Sequence, residues 1–538
     1  MFKLNLNKPK IKFWNERCLD TKTIEIPLQP MLTKIKQLFL FILLVISINS
    51  DAIAQTSIEL IGADVSEYDA SYVDAERLIG NVKFKQGNVY MDCDSAWFYH
   101  GENKVEAFGS IYIRQVDTLD LWGDYLLYNG DTKQALVKNN VRMTDKEMTL
   151  KTNLIQYDLT NKIAYYTSGG NIENGQDRLY SRKGHYYSRS KDFHFKDSVR
   201  LWNPQYTMES DTLWYNTFTK IATFWGPTYI HSDENTIFCK YGWYNTKLNT
   251  SQFSKGAWIA GKENKLWADS MLYNRNTGVG RAFRNILLID TIEKVSIAGN
   301  YGTYKRLEKS TWISGNPIAM KVLEDDTLFI MADTLMDKTD TASNKREMLA
   351  YHHTKIYKID MQGVADSLKY SFSDSLIALY KNPILWNDAS QITGDTLFIY
   401  RKNNRLDRMD VRQKAFIIME DTLNKYNQIK GRNMTAWFEQ NKLSHVNVYG
   451  NGQSVYYAKE DDGNYSGVNE VSCSDMLIKI DSNKVTKITF YNQPEGTFYP
   501  LEEFPEENSL LPDFKWLEAL KPNATLFYEN KIRLQPKK

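Results

Sequence analysis

Proline and cysteine are both scarce in this chain of 538 residues, at 13 and four respectively. Few prolines suit long strand arrays, in which nearly every backbone N–H is needed by a neighbouring strand. The cysteines, Cys18, Cys93, Cys239 and Cys473, form no CxxC pair and no cluster with histidine, so no zinc site is expected. Free cysteine packs as a small hydrophobe, and Cys93, Cys239 and Cys473 are expected to be buried in strands. Charge of one sign is missing too: 67 basic and 65 acidic residues, well interspersed, leave a net charge of +2. Nothing there would hold nucleic acid. No run of 18 apolar residues occurs, so no spanning helix is expected. HExxH, GxSxG, P-loop and strand-framed GxGxxG patterns are absent as well.

What is abundant is apolar and aromatic. Hydrophobic residues make up 42% and aromatics 13%, led by 34 tyrosines. Such residues favour pleated, half-buried surfaces. Near the start, Met31 to Gln55 has the layout of a secretory signal. Lys34 and Lys36 precede an apolar run from Leu38 to Ile48, and Ala52-Ile53-Ala54 supplies an A-x-A cleavage pattern. Residues 1–30 read as an extension upstream of a true start at Met31, or as a tail on an uncleaved anchor. In either case the rest of the chain is expected outside the cytoplasm.

The most informative feature is repetition. Tyr99, Tyr128, Tyr157, Tyr187, Tyr215, Tyr244, Tyr273 and Tyr304 follow one another at 28 to 31 residues, often as Tyr-Asn behind an Asp and three mostly apolar residues. A second column, Gly109, Asn139, Gly170, Asp197, Gly226, Gly256, Asn285 and Gly315, runs about ten residues later. Only Gly, Asn and Asp occupy it. These types tolerate positive φ, so the column predicts a bulge or tight bend in every repeat. Two and four residues on, the side chains are mostly apolar: Ile111, Ile113, Val141, Met143, Ile172, Val199, Leu201, Ile230, Trp258, Leu287 and Ile289. Alternation with polar neighbours marks strands with one buried face.

Each repeat therefore reads as strand, short turn, strand. A hairpin cannot bury its own apolar face, but a stack of hairpins can. With one strand per repeat in each of two facing sheets, the stack rises about 4.8 Å per repeat. Open along one side, its interior is an apolar groove, and the eleven residues just named are its candidate lipid-facing positions. Residues 55–336 form the main repeat region, 337–366 read as a polar insertion, 367–500 as a second repeat region and 501–538 as a non-repeating tail or cap. The exposed end strands invite edge-to-edge pairing with a similar protein.

Several segments resemble the OstA/LptA family of lipopolysaccharide-transport proteins. They are GADVSEYD at 62–69, IGNVKFKQGNVYMDCDSAWFY at 79–99, VEAFGSIYI at 105–113 and NPILWNDASQITGDTLFIY at 382–400. The resemblance implies an all-β fold, an elongated repeat-built β-jellyroll with about 29 residues per repeat. It also implies a periplasmic, possibly outer-membrane-associated, lipid-transport protein that binds lipopolysaccharide or a related lipid and joins other jellyrolls in a bridge. This chain is far longer than a single small jellyroll of that family.

No catalytic residue, cofactor or metal is expected. The recurring Asp94, Asp124, Asp211, Asp269, Asp333, Asp374, Asp395 and Asp475 offer carboxylates. A residue repeated in every unit is structural, however, and the plain reading is an Asp that bonds turn backbone at strand starts. The pair His352-His353 has no third ligand at useful spacing. The alternatives are an outer-membrane β-barrel, and a β-helix or adhesin that binds or processes carbohydrate.

Overall fold

The computed structural model describes residues 57–536, apart from 69–73, 116–118, 146–147, 325, 341, 388, 403–404, 422–423, 441, 461 and 482–483. The proposed signal segment and the residues before it lie outside the described residues. Ile58–Lys538 forms a unit by itself. From Glu59 to Tyr499 it is one antiparallel meander of 36 strands in which each rung bonds to the next along the chain. Ala75–Gln86, Val89–Tyr99, Lys104–Gln115 and Leu119–Asn129 set the pattern. Some rungs are split in two. Ile163–Tyr166 and Gly170–Asn174, for example, lie end to end along Thr149–Asp158.

Every second rung is bent in its middle by left-handed residues. Gly109 and Ser110 have φ of 75° and 42°, Asn139 and Asn140 61° and 48°, Arg284 and Asn285 59° and 50°. The pair opposes one residue of the neighbouring rung, and the register shifts by one there, as between Phe108 and Ile111. This is the bulge that the Gly/Asn/Asp column predicts, except that Gly169 (φ 91°) rather than Gly170 is the left-handed residue of its rung. The opposing residue is commonly the repeating aspartate. Asp64, Asp124 and Asp269 accept from the bulge amides of Asn81 (2.8 Å), Asn140 (2.6 Å) and Asn285 (2.9 Å). Asp124 and Asp269 stand in mid-strand and Asp64 between the halves of a split rung, and all three clasp the neighbouring bend. His352 and His353 are another left-handed pair, and their Nδ1 atoms lie 3.2 Å from Asp366 and 2.8 Å from Asp333.

The bend folds the meander into two facing sheets. The first carries the Tyr-Asn turns, whose Asn caps the turn: Asn129, Asn216 and Asn245 accept from backbone N–H groups two or three residues on. At the vertex, just before the Asp column, only small inward residues fit: Cys93, Gly123, Thr152, Ser181, Ser210, Cys239, Ala268 and Gly299. A Cβ on Gly242, the next inward position from Cys239, would lie 2.6 Å from Phe224 Cζ. Between the sheets one cluster of buried apolar side chains runs from Ile58 to Ile478. Both strands of a repeat cross both sheets, so a repeat adds two rungs. The rise is about 9.6 Å, twice the predicted value.

One further expectation changes. Residues 337–366, read from sequence as an insertion, hold rungs of the same ladder: Thr334–Thr339 and Arg346–Lys358 pair with each other, and the latter with Met361–Ser371. Residues 501–536 run back along the outer face of the second sheet. Leu511, Phe514 and Trp516 pack with Phe416, Ile418 and Tyr457, and Phe527 and Leu534 pack with Ala298, Ile318 and Phe329.

Candidate functional site

The interior has two lips, one at each row of turns. In the early repeats they are stitched together by tyrosines of the first lip. Buried Tyr128 donates to Gln86 of the second lip, and Gln86 Nε2 returns a bond of 2.9 Å to the Gly130 carbonyl. Tyr157 donates to Gln115 at 2.6 Å, and Tyr186 to Asp145 at 2.9 Å. These hydroxyls are deeply desolvated. Burial, with Asp158 nearby, pushes Tyr157 up to about 12. Here the interior is filled: Phe84, Ile113, Met143, Tyr128 and Tyr157 are all 1–3% exposed.

The stitching then stops. Tyr215 stands one repeat beyond Tyr186, and among the described residues it forms no cross-lip bond to Asn174. Between them is a cavity of about 160 Å³. Its apolar wall includes Ile172, Leu179, Phe195, Leu201, Met208, Leu213 and Ala222, with Asn174, Asp177, Tyr206 and Thr246 near the turns. Burial and Asp177 push Tyr206 up to about 12. Over the next repeats the inward residues of both lips stay half-buried: Tyr215, Tyr244 and Tyr273 on one, Leu201, Ile230, Ile259 and Leu288 on the other. Tyr304 is 41% exposed. From Tyr215 to Tyr304 this slot is roughly 30 Å long at two rungs per repeat.

An ionic clasp closes its far end. Arg346 on the first lip meets Asp290 on the second and binds Asp337 through two nitrogens at 2.9 and 2.7 Å. Burial works against the guanidinium charge, but the two carboxylates hold Arg346 above its ordinary value. Lys321 of the second lip also reaches over the Phe372 ring of the first, 5.1 Å from its centroid. Beyond the clasp the interior is packed again, with Ile356, Tyr370, Ile399 and Val446 all buried.

The sequence-derived positions divide into three groups. Ile111, Ile113, Val141, Met143, Ile172 and Val199 are buried members of the interior cluster, and Ile172 also lines the cavity. Leu201 and Ile230 border the slot. Trp258, Leu287 and Ile289 are on the outer face. Trp258 lies beside Phe238 and Tyr229, and Leu287 pairs with Ala298 beneath the C-terminal segment. The cause is the bulge. In those two rungs the left-handed pair is Lys255–Gly256 or Arg284–Asn285, so the Gly or Asn of the column comes second instead of first. A count started one residue late selects the opposite face. The inward residues are Ala257, Ile259, Ile286 and Leu288, which the sequence reading missed. Tyr99 and Tyr187 face outward in the same way, and Phe98 and Tyr186 take the interior.

Among the described residues no helix is long and apolar enough to cross a membrane, and no group of three His, Cys, Asp or Glu could hold a metal. Against known proteins, residues 55–211 match the family model described as OstA-like protein. Among solved structures the chain is similar to LptH, described as the LptA-homologous periplasmic component of the lipopolysaccharide transport device of Pseudomonas aeruginosa. The identity is 13%, the match covers 21% of this chain and 79% of that one, and the TM-score is 0.19. No curated protein matches the chain. The described part of the matched segment, residues 57–211, spans the stitched rungs and the head of the slot, and in this segment the chain is similar to OstA-like proteins.

Proposed function

We propose that the slot takes the acyl chains of lipopolysaccharide or a related lipid, and that the protein carries this lipid through the periplasm toward the outer membrane without catalysing a reaction. One observation carries the reading: the lips are stitched as far as Tyr186 and clasped at Arg346, and between these points a continuous apolar interior meets solvent along one side. An apolar void of about 150 Å³ accepts a benzene-sized guest. The cavity at Tyr215 therefore seats a short hydrocarbon stretch, and the half-buried slot beyond it lets the chain continue. About ten methylenes laid there gain on the order of 8 kcal/mol before ordering costs. The match of residues 55–211 to an OstA-like family supports the choice of lipid.

Partners are proposed on the same footing. Glu59–Gly62 and Val65–Tyr68 pair only with Ala75–Gln86 among the described residues, and Glu495–Tyr499 only with Tyr465–Asp481. Each leaves one side of a strand for a second jellyroll.

Photocrosslinking residues placed in turn at Leu201, Ile230 and Leu288 test the lipid reading in cells. Lipopolysaccharide adducts are expected at these three and not at outward Trp258. Adducts to protein or peptidoglycan alone would refute it.

A further inference from the structure

The outer face of the first sheet changes character over the same rungs in which the lips part. In the early repeats its rings are roofed by cations, with Arg77 5.4 Å from the Trp97 centroid, Lys104 4.8 Å from Tyr99 and Lys138 5.1 Å from Tyr125. Across the five rungs from Tyr206–Asn216 to Asn264–Asn274 the outward positions of this sheet carry no charge. The cross-strand rows meet their first charges at Asp192 and Lys196 on one side and Arg281 on the other, and the turns along one margin carry Lys220, Lys247 and Arg275. Further charges lie at the bend, where Lys255 stands 5.7 Å from the Tyr241 centroid.

Rings and neutral hydrogen-bonding groups fill the space. Trp214 is 44% exposed. It stacks on His194 at 4.0 Å and 10° and meets Trp225 edge-on at 4.6 Å, and Trp225 in turn lies 6.0 Å from Tyr241. Farther along the row of Trp214, Trp243 donates to Gln252 at 2.8 Å, and Gln252 donates to Ser270 at 3.3 Å. The C-terminal segment packs on later rungs of the other sheet, away from this face.

We infer that the outer face of the first sheet over residues 206–274 is a binding platform for a neutral glycan chain. The electron-rich faces of Trp and Tyr attract the C–H faces of pyranose rings. The amide and hydroxyl side chains between them match sugar hydroxyls, each of which needs a partner once desolvated. The absence of charge argues against phosphate-bearing polymers and anionic lipid surfaces, which are held by cations. The platform is on the opposite side of the sheet from the slot, so its test is independent of the lipid reading.

The test is titration of the purified full chain with maltohexaose, cellohexaose, laminarihexaose and chitohexaose, followed by tryptophan fluorescence and calorimetry. At least one is expected to bind. Trp214→Ala with Trp243→Ala is expected to weaken it about tenfold or more. Gln252→Ala keeps every ring and should weaken binding severalfold, and Trp97→Ala, beneath Arg77, should leave it unchanged. Circular dichroism checks that each variant is folded. The inference is overturned if no hexasaccharide binds, if binding survives both Gln252→Ala and the ring substitutions, or if the rings prove to hold anionic vesicles or a protein instead.

Discussion

At the vertex of each bend the two sheets converge, and the side chain there must be small and without charge. That constraint explains two of the cysteines better than any chemistry does. Cys93 and Cys239 occupy the column otherwise held by Gly, Ala, Ser and Thr, and both are buried, whereas Cys473 is half-buried. Burial pushes both buried thiols up to about 12 from an ordinary 9.0, aided at Cys93 by Asp94 and Asp92. Tyr157 moves the same way from 10.0. Between pH 9 and about 12 the folded chain therefore holds more protons than the unfolded one, and stability falls as pH rises. The urea midpoint should be level up to about pH 9 and decline beyond it. Cys93→Ala with Cys239→Ala should make that decline shallower. A midpoint unchanged at pH 11 would show that these groups titrate normally.

At the scale of elements, the C-terminal segment is held by two glutamines that act like one rung of a ladder. Gln391 donates to the Lys515 carbonyl and accepts from Leu517 N–H, both at 2.7 Å. Gln428 does the same with Ser509 and Leu511, both at 2.8 Å. Their side chains are 1% and 0% exposed. Replacing either by alanine strands two buried backbone groups, at about 1–3 kcal/mol each. Gln391→Ala with Gln428→Ala should raise the rate of tryptic cleavage at Lys515 by tenfold or more while the strands stay intact. An unchanged rate would mean that the apolar contacts of Phe514, Trp516 and Phe527 suffice to hold the segment. Its Pro-rich, non-repeating composition marks it in the sequence as separate from the ladder. Its docking site is invisible there, because the partners are 81 to 126 residues away.

For residues 58–536 as a whole, stability is a property of neighbouring rungs, as in other repeat arrays. Rungs whose lips are stitched or whose interior is packed should open least, and those along the slot most. Hydrogen exchange is expected to be slowest in Lys104–Gln115 and Tyr426–Glu439 and faster in Ile221–His231 and Asn264–Asn274, although all four lie between two hydrogen-bonded neighbours. Uniform protection would show that the lips contribute nothing to local stability. Tyr157→Phe should move the boundary, speeding exchange in the rungs around Tyr157 and Gln115.

The amino-acid order alone determined the strand content, the 29-residue period and the bend. Left-handed backbone, a capped turn and alternating apolar residues are local demands, met by residues next to one another in the chain. Only the tertiary structure decided which apolar residues face inward and where the interior opens. The first depends on whether the left-handed pair begins at the Gly or Asn or one residue before it, a difference that sends Trp258 and Leu287 outward. The second depends on whether a tyrosine finds a partner about 42 residues back across the gap, as Tyr128 finds Gln86 and Tyr157 finds Gln115. Contacts of that range exist only once both sheets have formed.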